Sequence, residues 1–202
     1  LLFAELQLSE QRAVSTKGLT KSFGWTDMDA FTQHDVQELL RVLFDALETA
    51  WEGTPQQSLI NELYQGTVND YVKCSFCSKK NARRDTFLDL QLTVKPFGAT
   101  TAIKSVEEAL EKYVQAELLT EDNQYFCDQC GQKRDATKGT EFDTFPYLLT
   151  LQLKRFDYDW ETDRRVKLVD HVTFPQVLDL NHMAQHPSQV ATQNPSSVAL
   201  SV

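Results

Sequence analysis

The residues of this chain best equipped for chemistry are its four cysteines, and all of them fall in two matching places. Cys74 and Cys77 lie in VKCSFCSKK, and Cys127 and Cys130 lie in QYFCDQCGQKR. Two residues between thiolates make a tight turn that aims both sulfurs at one point, and two such turns supply the tetrahedral four-sulfur set that zinc prefers. Ser78-Lys79-Lys80 and Gly131-Gln132-Lys133 follow the pairs. They give each turn a small residue where the chain must bend sharply, and cations that offset thiolate charge. A structural zinc site is expected, with redox dithiols or plain buried thiols as the alternatives. Four protein ligands leave no open coordination position, which argues against a catalytic metal.

Residues 78–126 separate the pairs, so a shared metal would join two β-hairpins remote in sequence and pin an extended ribbon where no large core could form. Strand patterns flank the pairs. In TFLDLQLTV, Leu88, Leu90, Leu92 and Val94 fall on one face and Phe87, Asp89, Gln91 and Thr93 on the other. In FPYLLTLQLKRFDYD, Leu149, Leu151 and Leu153 share a buried face, while Phe156 is the aromatic that interrupts the polar one. Upstream, Gln33 to Trp51 places Val36, Leu39, Leu40, Leu43, Phe44, Leu47 and Trp51 at helical spacing, a core helix stopped by Gly53 and Pro55. LINELY predicts a shorter helix ended by Gly66, and KSVEEALEKYV a helix opened by a Ser105/Glu108 capping box. Helices first and strands afterwards define an α+β chain.

With 202 residues, 41% of them hydrophobic, the chain can bury one sizeable core. Its net charge of −9 repels polyphosphate and favours a basic partner surface, so nucleic acid is not an expected ligand. No apolar run of about 18 residues is present to span a bilayer, and no membrane association is expected. Paired Cys-x-x-Cys without a secretory leader fits a reducing location, cytoplasmic or also nuclear. Residues 179–202, rich in Gln, Ser, Pro and Ala, predict a low-complexity insertion or tail.

The stretch SFGWTDMDAFTQHDVQELLRVLFDALE resembles the ubiquitin-specific protease family, with Gln33-His34-Asp35-Val36-Gln37-Glu38-Leu39 similar to that family's glutamine-aspartate box. The paired cysteines, RRDTFLDLQLTV, LTLQLKRFDYD and VKLVDHVTFP follow in family order, so the resemblance covers residues 18 to 180. It implies a papain-like cysteine protease fold likened to a hand, here incomplete. Residues 1–66 would form a helical thumb portion, 67–178 the fingers and palm with a zinc-pinned antiparallel β ribbon, and 179–202 the insertion or tail.

Ubiquitin and ubiquitinated proteins are the implied partners, structural zinc the implied cofactor, and hydrolysis after ubiquitin's last glycine the implied activity. Gln33, Asp35, Gln37, Glu38 and Phe156 occupy the positions implied to grip the ubiquitin tail. Carboxylates there suit arginine and backbone amides, a glutamine amide pairs with extended backbone, and a flat aromatic wall passes glycine but no side chain. From spacing alone, Asp35 would equally serve as a helix N-terminal acid. Asp85 and Asp89 could meet a basic partner face or be ordinary surface acids. The loop 157–168 corresponds to a family loop that overhangs the tail channel and moves on ubiquitin binding, and Arg155 is expected to buttress its strand rather than touch substrate.

Thiol isopeptidase chemistry needs a cysteine, a histidine and an orienting Asp or Asn. No cysteine remains outside the two pairs, and His171, His182 and His186 lack the family's context; His34, at a position that is often glutamine in the family, is expected to be a contact or surface residue. The family's cysteine box is expected upstream of Leu1 and its Gly-His-Tyr box after Val202. The chain alone is expected to be inactive, with an inactive ubiquitin-binding module or a zinc-ribbon interaction scaffold as alternatives.

Overall fold

The computed structural model of the chain describes residues 2–22, 24, 36–96, 98–159, 163–183 and 198–199. Two units form, Leu1–Ile60 and Asn61–Val202. The first carries the helices α1 (Leu2–Leu8), α2 (Lys17–Ser22) and α3 (Val36–Trp51), and α4 (Leu59–Tyr64) runs across the boundary. Leu39, Leu40, Leu43, Leu47 and Trp51 of α3 are half-buried and Phe44 is buried, as the helical spacing predicts. Val36 departs from that prediction: it opens the first turn and is 70% exposed. The chain leaves α3 through Gly53, whose φ of 72° is a left-handed turn that a glycine adopts without strain. Among the described residues no helix is long and apolar enough to cross a membrane.

The second unit continues with β1 (Gly66–Cys74), β2 (Lys80–Phe87), β3 (Leu90–Thr93), α5 (Val106–Val114), β4 (Glu117–Leu119), β5 (Tyr125–Cys127) and β6 (Gln132–Arg134). It then forms β7 (Ala136–Thr144), β8 (Leu151–Lys154), β9 (Phe156–Asp159), β10 (Arg164–Lys167), β11 (Val177–Leu178) and β12 (Val198–Ala199). Four strands in the order β2-β1-β7-β4 make an antiparallel ribbon. At its base Val68 and Phe142, opposite each other in register, enter the core; at its tip Cys74 stands opposite Ala136.

The core is built by β3, α5 and the segments around Val172 and Leu178. β3 pairs in parallel with β8, Leu90 beside Leu151 and Leu92 beside Leu153, so the two leucine faces predicted from alternation lie side by side. Leu110 of α5 packs there, fully buried. Ser105 caps α5 by accepting from the Glu108 amide at 3.2 Å. Glu108 reaches back one residue further than the usual box and accepts from the Lys104 amide at 2.9 Å.

Three features differ from the sequence reading. TFLDLQLTV is two strands broken at Leu88-Asp89, which resets the alternation and puts Phe87 against the core, its ring 6.0 Å from that of Phe142. Gly66 does not end α4 in a left-handed turn; it opens β1, and a Cβ there would lie 2.3 Å from the Phe87 ring, so close approach is what requires glycine. Leu149 to Phe156 is likewise not one strand, because β9 leaves the β3-β8 sheet at Arg155 and pairs with β10 instead. The segment after 179 contributes Leu180 to the core, and Val198-Ala199 pair with Val177-Leu178.

Candidate functional site

The tip of the ribbon brings all four cysteines together. Their sulfurs lie within 4.8 Å of one another, with Cys77 and Cys127 3.6 Å apart, and all four thiols are free. Cys74 and Cys127 are buried; Cys77 and Cys130 are half-buried.

The two turns have one design. In the first, the Ser78 amide donates to Cys74 O at 3.0 Å; in the second, the Cys130 and Gly131 amides donate to Cys127 O at 3.1 and 2.9 Å. The residue after each second cysteine is left-handed, φ 60° at Ser78 and 65° at Gly131. This is where the sequence places its small residues. A Cβ at Gly131 would meet nothing within 4 Å, so only its backbone conformation demands glycine. Gly131→Ala is therefore expected to cost about 1 kcal/mol, and Ser78→Gly to be neutral or stabilising by less than about 1 kcal/mol. Urea unfolding midpoints of the two variants should move in these unequal ways, and an equal loss in both would contradict the matching of the turns.

Contacts not legible in the sequence stitch one turn to the other. The Ser75 amide donates to Asp135 O at 2.9 Å, Asn81 Nδ2 donates to the Tyr125 hydroxyl at 2.7 Å, and the Arg134 guanidinium lies 4.2 Å from the centre of the Phe76 ring. Lys80, expected to offset thiolate charge, is engaged elsewhere: it pairs with Glu141 at 2.5 Å and sits over the Tyr71 ring.

Electrostatics explain why such a cluster suits a cation. The Cys77 backbone amide, helped by that of Phe76 and opposed by burial, pulls the Cys74 thiol down to about 7. Burial, together with hydrogen bonds to Cys77, Cys127 and Cys74, pushes Cys130 up to about 12. A cation bound among the four sulfurs would stabilise their thiolate forms. The residues fit a metal ion: four soft donors of one type, within one coordination sphere, at the end of a ribbon.

The other predicted residues are placed separately. Gln33 and Asp35, with His34 and His186, lie outside the described residues. In the first unit, Gln37 is half-buried and Glu38 exposed, both in the first turn of α3. Phe156 opens β9 in the second unit, opposite Lys167, and is 66% exposed. His171, His182 and Asp85 are exposed, and Asp89 is half-buried. Arg155 donates to Asp170 O at 2.8 Å, in keeping with a buttress.

Comparison with known proteins closes the question of kinship. A family model described as ubiquitin carboxyl-terminal hydrolase matches residues 1–199. The chain is 52% identical over 193 residues to ubiquitin carboxyl-terminal hydrolase 47 of Drosophila melanogaster, covering 96% of this chain and 12% of that protein. It is 54% identical over 180 residues to the Homo sapiens protein of the same name, covering 89% of this chain and 13% of that protein. Ubiquitin carboxyl-terminal hydrolase 15 of Saccharomyces cerevisiae is 43% identical over 179 residues, 89% of this chain and 14% of that protein. The chain thus spans about an eighth of the length of these curated relatives. An α+β chain with a four-cysteine ribbon, matched along nearly its whole length, belongs to the ubiquitin carboxyl-terminal hydrolase family.

Proposed function

We propose that this chain is the ubiquitin-holding part of a deubiquitinating thiol isopeptidase, with zinc in its four-cysteine cluster. The observation that carries the reading is the family match over residues 1–199. Zinc accounts for the donor set. Sulfurs placed about 2.3 Å from a tetrahedral zinc stand about 3.8 Å apart, and the 3.6 Å between Cys77 and Cys127 is close to that edge. The metal is structural: it holds the two turns together and leaves no position for substrate. A reducing compartment, which keeps thiols available, is the fitting location.

In the hand-like arrangement, the helices of residues 1–66 belong to the thumb, the four-stranded ribbon forms the fingers, and β3 and β8 lie in the palm. Ubiquitin rests on fingers and palm. Gln33, Asp35, Gln37 and Glu38 bind the backbone and arginines of its tail. The exposed ring of Phe156 supplies an apolar wall to the channel that passes its glycines. All four cysteines are committed to the cluster, so the nucleophile and the histidine that activates it come from other parts of the full-length protein.

The test is hydrolysis of a ubiquitin C-terminal fluorophore amide by the full-length protein. Turnover abolished by thiol alkylation is expected, and Phe156→Ala should raise KM about tenfold, about 1.4 kcal/mol of binding. Full-length protein that binds ubiquitin without turnover would instead identify a binding module.

A further inference from the structure

Arg155 is the single residue between two sheets. β8 ends before it, paired in parallel with β3, and β9 begins after it, paired with β10. The chain returns from β10 beside the same residue. Arg155 O accepts from the Leu168 amide at 2.6 Å, and the Arg155 guanidinium donates through Nη1 to Leu168 O at 3.4 Å and to Asp170 O at 2.8 Å. Backbone and side chain of one residue thereby clasp both legs of the β9-β10 hairpin where it joins the core.

Beyond the clasp the returning leg is fixed. Leu168 packs against the core and Val172 is buried within it, while the Thr173 amide donates to Lys104 O at 2.8 Å and the Val106 amide to Thr173 O at 2.9 Å. The outer end of the hairpin has a tie of its own, the Tyr158 hydroxyl donating to Asp163. That bond, with burial adding, raises the Tyr158 pKa above the usual tyrosine value. Each end is local, so the angle at which the hairpin leaves the core is set at its root.

We infer that Arg155 is a positioning residue that holds the root of the β9-β10 hairpin, and with it Phe156, against the core, so that the apolar wall is in place before ubiquitin's tail arrives, whatever the outer part of the hairpin does. The inference rests on the proposed role of Phe156 as that wall. Both bonds leave one nitrogen, Nη1, whose two N–H groups lie in the guanidinium plane and so point in fixed directions, whereas a lysine ammonium turns freely on a flexible stem. An unclasped hairpin would have to be ordered during binding, and that cost falls on substrate affinity rather than on the chemical step.

The test uses the full-length protein with Arg155→Ala, Arg155→Lys and Phe156→Ala, comparing turnover of a ubiquitin C-terminal fluorophore amide with amide exchange of residues 156–159 and 163–168. Arg155→Ala is expected to speed exchange in the hairpin and to raise KM about tenfold with kcat within about twofold. Arg155→Lys should fall between it and the native protein, which keeps the inference testable if the alanine variant does not fold. Hairpin exchange unchanged in both variants overturns the clasp. A KM unchanged by Arg155→Ala while Phe156→Ala raises it overturns the positioning role. If Phe156→Ala has no effect on KM, the tail-channel reading fails instead, and the exchange data alone decide the clasp.

Discussion

A Cys127→Ser protein is expected to lose the proposed zinc and, with it, the order of the ribbon tip. Cys127 is 1% exposed and one of four sulfurs within a single coordination sphere. Its replacement leaves three thiols and a weak hydroxyl. Apparent binding free energies of structural zinc sites run to about 10–16 kcal/mol, and in such sites binding energy is folding energy. Little else is available at the tip. β5 and β6 have three residues each, and Cys74, Cys127 and Ala136 are the buried hydrophobic residues of the neighbourhood. A two-stranded hairpin of that length is not stable alone. The loss should be local, because Val68 and Phe142 anchor the other end of the ribbon. Elemental analysis should fall from about one zinc per chain to near none. Amide protection should vanish around residues 74–79 and 125–135 and persist in α5 and β3. A variant that retains stoichiometric zinc, or a metal-free protein with an intact tip, would contradict the assignment.

Phe142→Ala is expected to destabilise the second unit by about 3–5 kcal/mol, the usual range for emptying a buried phenylalanine site. Phe142 has no exposed surface, and three aromatic rings surround it. Tyr113 stacks at 5.8 Å, Phe145 lies at 4.7 Å, and Phe87 meets it edge-on at 6.0 Å. Each pair adds about 0.5–1.5 kcal/mol beyond area burial. The residues come from different elements: Phe142 from β7, Tyr113 from α5, Phe87 from the end of β2. The site is therefore the junction of ribbon and core, and it cannot collapse without moving several backbones. Against a total stability of about 5–15 kcal/mol, the loss should be visible as a large drop in the urea midpoint. A change below about 1 kcal/mol would show that the ribbon is not rooted through this ring.

That junction also marks the limit of what the sequence could disclose. Leu90, Leu92 and Val94 were legible as core because an unbroken alternation carries its own face assignment, and Leu110 followed from a capped amphipathic helix. Phe87 was not, because the break at Leu88-Asp89 shifts the period by changing strands, and no residue type there announces a break. Gly66 resembled a helix terminator, the commoner use of glycine, yet its reason is a ring brought over it from β2. The parallel pairing of β3 with β8 joins stretches far apart in the chain, a relation that local pattern cannot specify. The cysteine cluster was fully legible, since two equal spacings of a strong ligand type leave few arrangements. The contacts that stitch its two turns, such as Phe76 with Arg134, depend on the register between hairpins and were invisible. Arg155 was legible as a buttress, but its carbonyl partners lie on a returning leg that only the fold brings near.

The most direct test of the central claim, that this chain is the ubiquitin-holding scaffold of its protein, is the affinity of ubiquitin for the full-length protein and for its Phe156→Ala variant, measured by calorimetric titration. The account predicts saturable one-to-one binding that weakens about tenfold, or about 1.4 kcal/mol, when the exposed ring is removed. Absence of ubiquitin binding by the native protein, or an affinity that the substitution leaves unchanged, would contradict it.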